Sequence, residues 1–320
     1  MKLKKLYIGV FGNYFENIDR AITQSTGVIR VDACEKLDVY SNIVKTSSEY
    51  QGFFQSVGDL DYAEISDNLV LADFFLRLTQ ADGKKYGIIS INDNIFNALP
   101  LNGRSESNTN AFSSFAYVNM VNQSFDLLTS NNNKISAEGR VFWLGGTQSM
   151  AKVQLIENSI KSSHKVSYLI SNVNELKMYR NESFSCDIFA SLASLNNSVL
   201  DIRENIEHSD VTKNRGMFNS MAGSLKSFTF IENKFDVPNP DTYGIINSVT
   251  NITDILEKNV RDNSPEVFKT KILVSSTKFG TTLARPTNKV RDYDGYYDID
   301  FNKKIFWDGI NWKDSSGNVV

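Results

Sequence analysis

Apolar positions along this chain follow two spacings. Short apolar or period-two runs at residues 6–11, 28–31, 86–91, 140–144, 166–170, 227–231 and 271–274 predict strands. Between them, spacing of three and four predicts helices. One carries Phe15, Ile18, Ala21 and Ile22. A second carries Leu71, Phe74, Phe75 and Leu78, with Ser66 as its N-cap and Gly83 as its stop. Others carry Phe112, Phe115, Val118 and Phe125; Val153, Ile156 and Ile160; and Ile252, Ile255, Leu256 and Val260. Residues 35–60 fit neither period, and residues 94–110 read as a polar loop. This alternation predicts an α+β or α/β body over residues 1–265, strand order unknown. No internal repeat emerges.

One segment has a longer pattern. Ile188, Leu192, Leu195, Val199, Ile202 and Ile206 recur at intervals of 4, 3, 4, 3 and 4. An a/d repeat of that length predicts a helix, either a short oligomerising coiled coil or an amphipathic helix inside its own domain.

The closing stretch reads as an all-β meander within residues 266–320. Tyr297, Ile299 and Phe301 alternate with Asp298 and Asp300, which predicts a strand with its aromatic side buried. Residues 302–304 break the run, Ile305-Phe306-Trp307 forms a second strand, Asp308-Gly309 a tight turn, and Trp312 a third strand. Arg285-Pro286-Thr287, Gly295, Asp298, Asn302-Lys303, Ile305, Trp307, Gly309, Trp312, Asp314 and Gly317 together resemble the short C-terminal segment of many bacteriophage tail fibre and tail spike proteins. Lys304 stands at a usual proline, Asp308 at a usual Asn, and Asp300-Phe301 at a usual Thr-Leu. The resemblance covers about an eighth of the chain. It implies a virion protein and not a particular activity. It also implies partners: other virion proteins, further copies of the chain with a trimer favoured, and a host-surface glycan.

Composition narrows the picture modestly. With 320 residues, 41% hydrophobic and 22% charged, the chain can bury a sizeable core. A net charge of −3 argues against a broad nucleic-acid face. No run approaches a membrane-spanning length, so no membrane insertion is expected. The expected location is the virion, after assembly in the host cytoplasm. Asn is abundant, which suits many turns. Cys34 and Cys186 do not make a disulfide framework.

Candidate chemistry is sparse. His164 and His208 read as surface residues. Gly9-Val-Phe-Gly12 is similar to the opening of SGNH-type esterases, yet Asn13-Tyr14 stands where the serine would be, so no catalytic residue is assigned. Gly145-Gly146-Thr147 could cradle a phosphate at a helix start and reads better as a plain strand-to-helix turn. Asp292, Asp294, Asp298 and Asp300 read as a solvated carboxylate row, without calcium. No cofactor or metal is expected. Tyr293, Tyr296, Trp307 and Trp312 are candidate ligand or host contacts by ring stacking, although with Tyr297 and Phe306 they also suit a packing core. The expectation is a non-enzymatic structural protein of a phage virion, a tail fibre or other appendage. The alternatives are a glycan-binding adsorption protein and, further off, a tail-associated esterase or depolymerase.

Overall fold

The computed structural model describes residues 7–16, 26–47, 51–79, 85–100, 113–120, 124–146, 149–162, 166–184, 188–208, 218–235, 251–261, 278–280, 282–285, 295–298, 300–308 and 310–320. Among the described residues there is no α-helix. The α+β or α/β expectation is overturned: the body is a parallel β-solenoid.

Each turn of the chain lays one strand on each of three faces. The first face carries Thr26–Val31, Gln51–Ser56, Phe74–Thr79, Ser114–Met120, Phe142–Gly146 and Val166–Ser171. The second carries Tyr7–Phe11, Cys34–Tyr40, Leu60–Ser66, Lys85–Asn92, Ser124–Asn131, Met150–Ile156 and Val173–Tyr179. Ile188–Arg203 bridges both faces, pairing with Val166–Ser171 through its first half and with Val173–Tyr179 through its second. Phe218–Ile231 and Asn251–Arg261 add to it in turn. The third face runs from Tyr14–Glu16 to Lys234–Phe235 in nine short strands. Every pairing in these faces is parallel, so equivalent side chains from successive turns stack in rows.

The corner between the second and third faces fixes the repeat. A residue in the left-handed region, such as Ser41, Asp67, Asp93, Asn132, Glu157, Arg180, Glu204 or Glu232, reverses the chain at each turn. The next residue is always asparagine: Asn13, Asn42, Asn68, Asn94, Asn133, Asn158, Asn181, Asn205 and Asn233. All but the first are buried. Each Oδ1 accepts the backbone N–H and the Nδ2 of the asparagine one turn earlier, for instance Asn42 N and Nδ2 on Asn68 Oδ1, both at 3.0 Å. Each buried Nδ2 also donates to a carbonyl of the preceding turn, as Asn68 Nδ2 does to Val39 O at 3.1 Å. A carboxamide supplies an acceptor oxygen and two donor hydrogens together at a buried corner. The sequence interval between these residues is 23 to 29 everywhere except Asn94 to Asn133, where it is 39. The extra length falls between Ile95–Ala98 and Ser114–Met120.

Inside, rings stack along the axis. Phe53, Phe75, Phe115, Phe142, Tyr168 and Phe189 follow one another at centroid distances of 4.6 to 5.4 Å. Aliphatic rows such as Val39, Ile65, Ile91 fill the second face.

The helical spacings have a common origin. Within a strand, inward residues recur every two positions, and each corner shifts the parity by one. Val153 and Ile160 point inward, half-buried Ile156 ends its strand, and Glu157-Asn158 turn between them, which reads as three and four. Leu71 is exposed and Phe74, Phe75 and Leu78 lie on a strand. Phe115 and Val118 belong to Ser114–Met120 and Phe125 to Ser124–Asn131. The segment carrying Ile252 and Val260 is the strand Asn251–Arg261. The heptad helix is also corrected. Ile188, Leu192, Leu195 and Ile202 are buried in the wall of the solenoid, Val199 is half-buried on the same strand, and Ile206 is half-buried on Ile206–His208. The bend at Ser194 and Asn197, both with positive φ, turns two period-two runs into an apparent heptad. The expected strands at 28–31, 86–91, 166–170 and 227–231 are present; the 6–11 expectation is Tyr7–Phe11, the 140–144 expectation is Phe142–Gly146, and 271–274 lies outside the described residues.

Candidate functional site

The outer side of the second face, in the opening turns, gathers exposed rings and charges. Ile8, Val10, Leu37, Val39, Ala63 and Ile65 turn inward. Period two therefore sends Tyr7, Gly9 and Phe11 outward, as it does Lys36, Asp38 and Tyr40, and Tyr62 and Glu64. Parallel register sets Tyr7 beside Lys36 beside Tyr62, Gly9 beside Asp38 beside Glu64, and Phe11 beside Tyr40.

Phe11 and Tyr40 stack at 5.0 Å with their planes 6° apart, and Phe11 is 57% exposed. Tyr7, 59% exposed, donates its hydroxyl to Asp38 Oδ2 at 2.6 Å. Lys36 Nζ lies 3.3 Å from the same oxygen, 5.1 Å from the Tyr7 ring centre and 5.8 Å from that of Tyr62. Tyr62 donates to Glu64 Oε2 at 3.1 Å, and Asn92 Nδ2 donates to Glu64 Oε1 at 2.7 Å. The Tyr7 phenol is pushed up chiefly by its hydrogen bond to Asp38, and the Tyr62 phenol by burial and then by Glu64. Both remain hydroxyl donors at neutral pH. The Phe11 ring and the Tyr7 hydroxyl lie close over Gly9, which has no side chain. The result is an exposed aromatic platform, two rings stacked face to face, with carboxylate acceptors beside it. Such a surface can stack on the apolar face of a sugar ring and accept from its hydroxyls.

A second concavity lies along the asparagine corner of the last turns. It encloses about 680 Å³ and is lined by Arg180, Glu182, Glu204, Ile206, Glu232 and Lys234 with the edges of Asn181 and Asn233. Arg180 pairs with Glu157 at 2.8 Å and approaches Glu204 at 4.0 Å. His208 contacts Glu182 at 2.9 Å and stacks on Phe184 at 4.8 Å.

The closing module is a four-stranded sheet of Lys278–Gly280, Gly295–Asp298, Lys303–Trp307 and Trp312–Lys313, the last three antiparallel. Its carboxylates divide: Asp300 is exposed, as expected, but Asp298 is fully buried, while Phe301, expected inside, is half exposed. Asp298 Oδ2 lies 2.7 Å from Arg285 Nε and 2.7 Å from Arg285 Nη2. Oδ2 also accepts from the Thr282 hydroxyl, and Asp298 Oδ1 accepts from the backbone N–H groups of Asp300 and Phe301. Burial pushes the Asp298 carboxyl up, but Arg285 and these donors outweigh it and hold it below the usual range. Arg285 Nη1 additionally donates to Val320 O. Trp312 is buried and meets half-buried Trp307 edge-on at 5.4 Å, with Ile305 beneath. These two rings thus serve as packing. Tyr296 lies on a strand, and Tyr293, Asp292 and Asp294 lie outside the described residues.

Other sequence candidates disperse. Gly145 and Gly146 end a strand instead of opening a helix, so no helix N-terminus stands there, and Thr147 lies outside the described residues. Gly12-Asn13 is the first solenoid corner. Cys34 is buried, its thiol raised by burial and donating to Lys36 O at 2.9 Å. Cys186 and His164 lie outside the described residues. The aromatic platform went unseen in sequence because its members are 29 residues apart. The recurring corner asparagines could have located it.

No family model, no curated protein and no solved structure matches this chain. The β-solenoid is compatible with a structural protein of the fibre or spike type.

Proposed function

We propose that this chain is a structural component of a bacteriophage virion appendage, a tail fibre or spike, and that it contacts a host-surface glycan through the Phe11–Tyr40 platform. A parallel solenoid is a stiff rod, because every turn is hydrogen-bonded to the next along the axis. Such a rod suits an appendage that carries a binding face away from a particle. The resemblance of residues 280–317 supports the virion reading, and the exposed stacked pair over Asp38 and Glu64 carries the glycan reading. A sugar ring packs against the exposed sides of the stacked Phe11 and Tyr40 rings, and its hydroxyls donate to the carboxylates that Tyr7, Lys36 and Asn92 hold in place. The body would dock to neighbouring virion proteins.

A panel of bacterial surface polysaccharides, probed with the purified full chain, tests the reading. Binding to a restricted subset is expected, weakened at least tenfold by Phe11→Ala and by Tyr40→Ala with the circular dichroism spectrum unchanged. Absence of binding, or binding indifferent to both substitutions, contradicts the glycan contact. Absence of the chain from purified particles contradicts the virion assignment.

A further inference from the structure

The outward side of the second face carries one arrangement twice. At its opening end Tyr7 donates its hydroxyl to Asp38 Oδ2 at 2.6 Å, and Lys36, paired with Asp38 at 3.3 Å, lies 5.1 Å from the Tyr7 ring centre. Towards its far end Tyr179 donates its hydroxyl to Asp201 Oδ2 at 2.5 Å, and Arg203, paired with Asp201 at 2.5 Å, lies 5.7 Å from the Tyr179 ring centre. Side-chain exposures match as well, 18% and 14% for the aspartates, 51% and 43% for the cations. Asp38 and Asp201 stand in one register row. Glu64, Ser90, Thr129, Gln154 and Lys177 lie between them, all polar and half-buried. The row beside it begins with Phe11 and Tyr40 and runs on to Tyr179 and Arg203. Strand spacings of about 4.8 Å put the two aspartates about 29 Å apart.

We propose that Tyr179, Asp201 and Arg203 form a second glycan subsite, and that one extended polysaccharide chain lies along the solenoid axis from the Phe11–Tyr40 platform to this subsite. The inference rests on the glycan reading above and deepens it from a contact with one sugar to a contact with a polymer. Each end offers a hydroxyl-rich ligand the same set of groups: the side of a phenol ring, a carboxylate acceptor held by two donors, and a half-exposed cation. Burial and then Asp201 push the Tyr179 phenol up to about 12, so it stays a donor at neutral pH. A carboxylate already fixed by Tyr179 and Arg203 loses little side-chain freedom when a sugar hydroxyl reaches it. The row between the ends supplies hydroxyl, amide and amine groups turn by turn, which suits a polymer carrying hydroxyls along its whole length. A compact ligand cannot touch both ends. A chain that does touch both binds more tightly than either contact alone, because the second contact forms at high local concentration.

Length dependence tests this. The probe is the bacterial surface polysaccharide that the full chain retains from the panel, cut by partial acid hydrolysis into sized fragments. Titration calorimetry measures the affinity of each size for the parent chain, for Arg203→Ala and for Tyr179→Ala. In the parent, affinity should rise at least tenfold between fragments that reach only the platform and fragments of about 29 Å or more. Both far-end substitutions should abolish that rise, leave short-fragment affinity unchanged and keep the β-type circular dichroism. Phe11→Ala should weaken binding at every length. Affinity independent of length, or a rise that survives both Arg203→Ala and Tyr179→Ala, overturns the second subsite and leaves the platform standing. If no polysaccharide of the panel binds, the glycan reading fails and this inference fails with it.

Discussion

Asn158 gives its Nδ2 to Asn181 Oδ1 at 2.9 Å while its own Oδ1 receives Asn133 Nδ2 at 2.9 Å. That relay runs through the body from Asn13 to Asn233. Asn158→Ala would strand the Asn133 backbone N–H and the Ser130 hydroxyl, and would leave Ser130 O without its donor. Unpaired buried polar groups of this kind cost about 1–3 kcal/mol each. We expect a loss of roughly 3 kcal/mol from Asn158→Ala. Asn13→Ala, at the exposed end of the relay, should lose less than about 1 kcal/mol. Urea unfolding of the two variants checks the contrast; equal losses would contradict it.

The corner residue before each asparagine sits at positive φ. At Glu232 φ is 54°. Glycine tolerates that region better than any residue with a Cβ, and a β-branched residue tolerates it worst. Glu232→Gly should be neutral to stabilising by up to about 1 kcal/mol, and Glu232→Val should destabilise by at least about 1 kcal/mol. Thermal melts give both signs.

In the closing module, Arg285 offsets the burial of Asp298. The folded Asp298 carboxyl lies below its unfolded value. Its contribution to stability is thus present above about pH 4 and is lost as pH falls through the folded value. Asp308, held down to about 2 chiefly by Lys313, acts in the same direction. In Arg285→Ala the burial of Asp298 is no longer offset, and its titration moves upward. Acid loss of Trp307 and Trp312 packing should then occur at higher pH than in the parent, read by tryptophan fluorescence. An unshifted acid transition would contradict the pairing. Arg285→Lys should rescue only in part, because an ammonium cannot present the two-pronged contact.

Gly58 passes close to the preceding turn. A Cβ there would lie 1.3 Å from Asp32 O, so Gly58→Ala must move backbone and should cost several kcal/mol. Gly9→Ala, where the nearest atom is 3.4 Å away on the Phe11 ring, should fold normally and serve as the control. The comparison of soluble yield and melting temperature separates the two.

Much of this architecture was present in the sequence in a disguised form. The short strands at 86–91 and 166–170 were legible because each is a clean apolar run. The faces they build were not. Corners such as Glu157-Asn158 insert one residue of parity shift between strands, and Val153, Ile156 and Ile160 then imitate a helix. The repeat was masked by its uneven length, 23 to 39 residues, and by the fact that only one position per turn is constant in type. The abundance of Asn was visible, but its recurrence one residue after a left-handed corner was not. In the closing segment, Arg285, Asp298, Trp307 and Trp312 stood out as a motif. That Asp298 is buried on Arg285 could not be read from alternation, because strand periodicity assigns the aromatic side inward by default.

Far-UV circular dichroism of the purified chain tests the solenoid most directly. The account predicts a single β-type minimum with no helical double minimum, retained in Tyr40→Ala. A spectrum with substantial helix would contradict the continuous strand stack, and with it the relay of asparagines and the surface built on it.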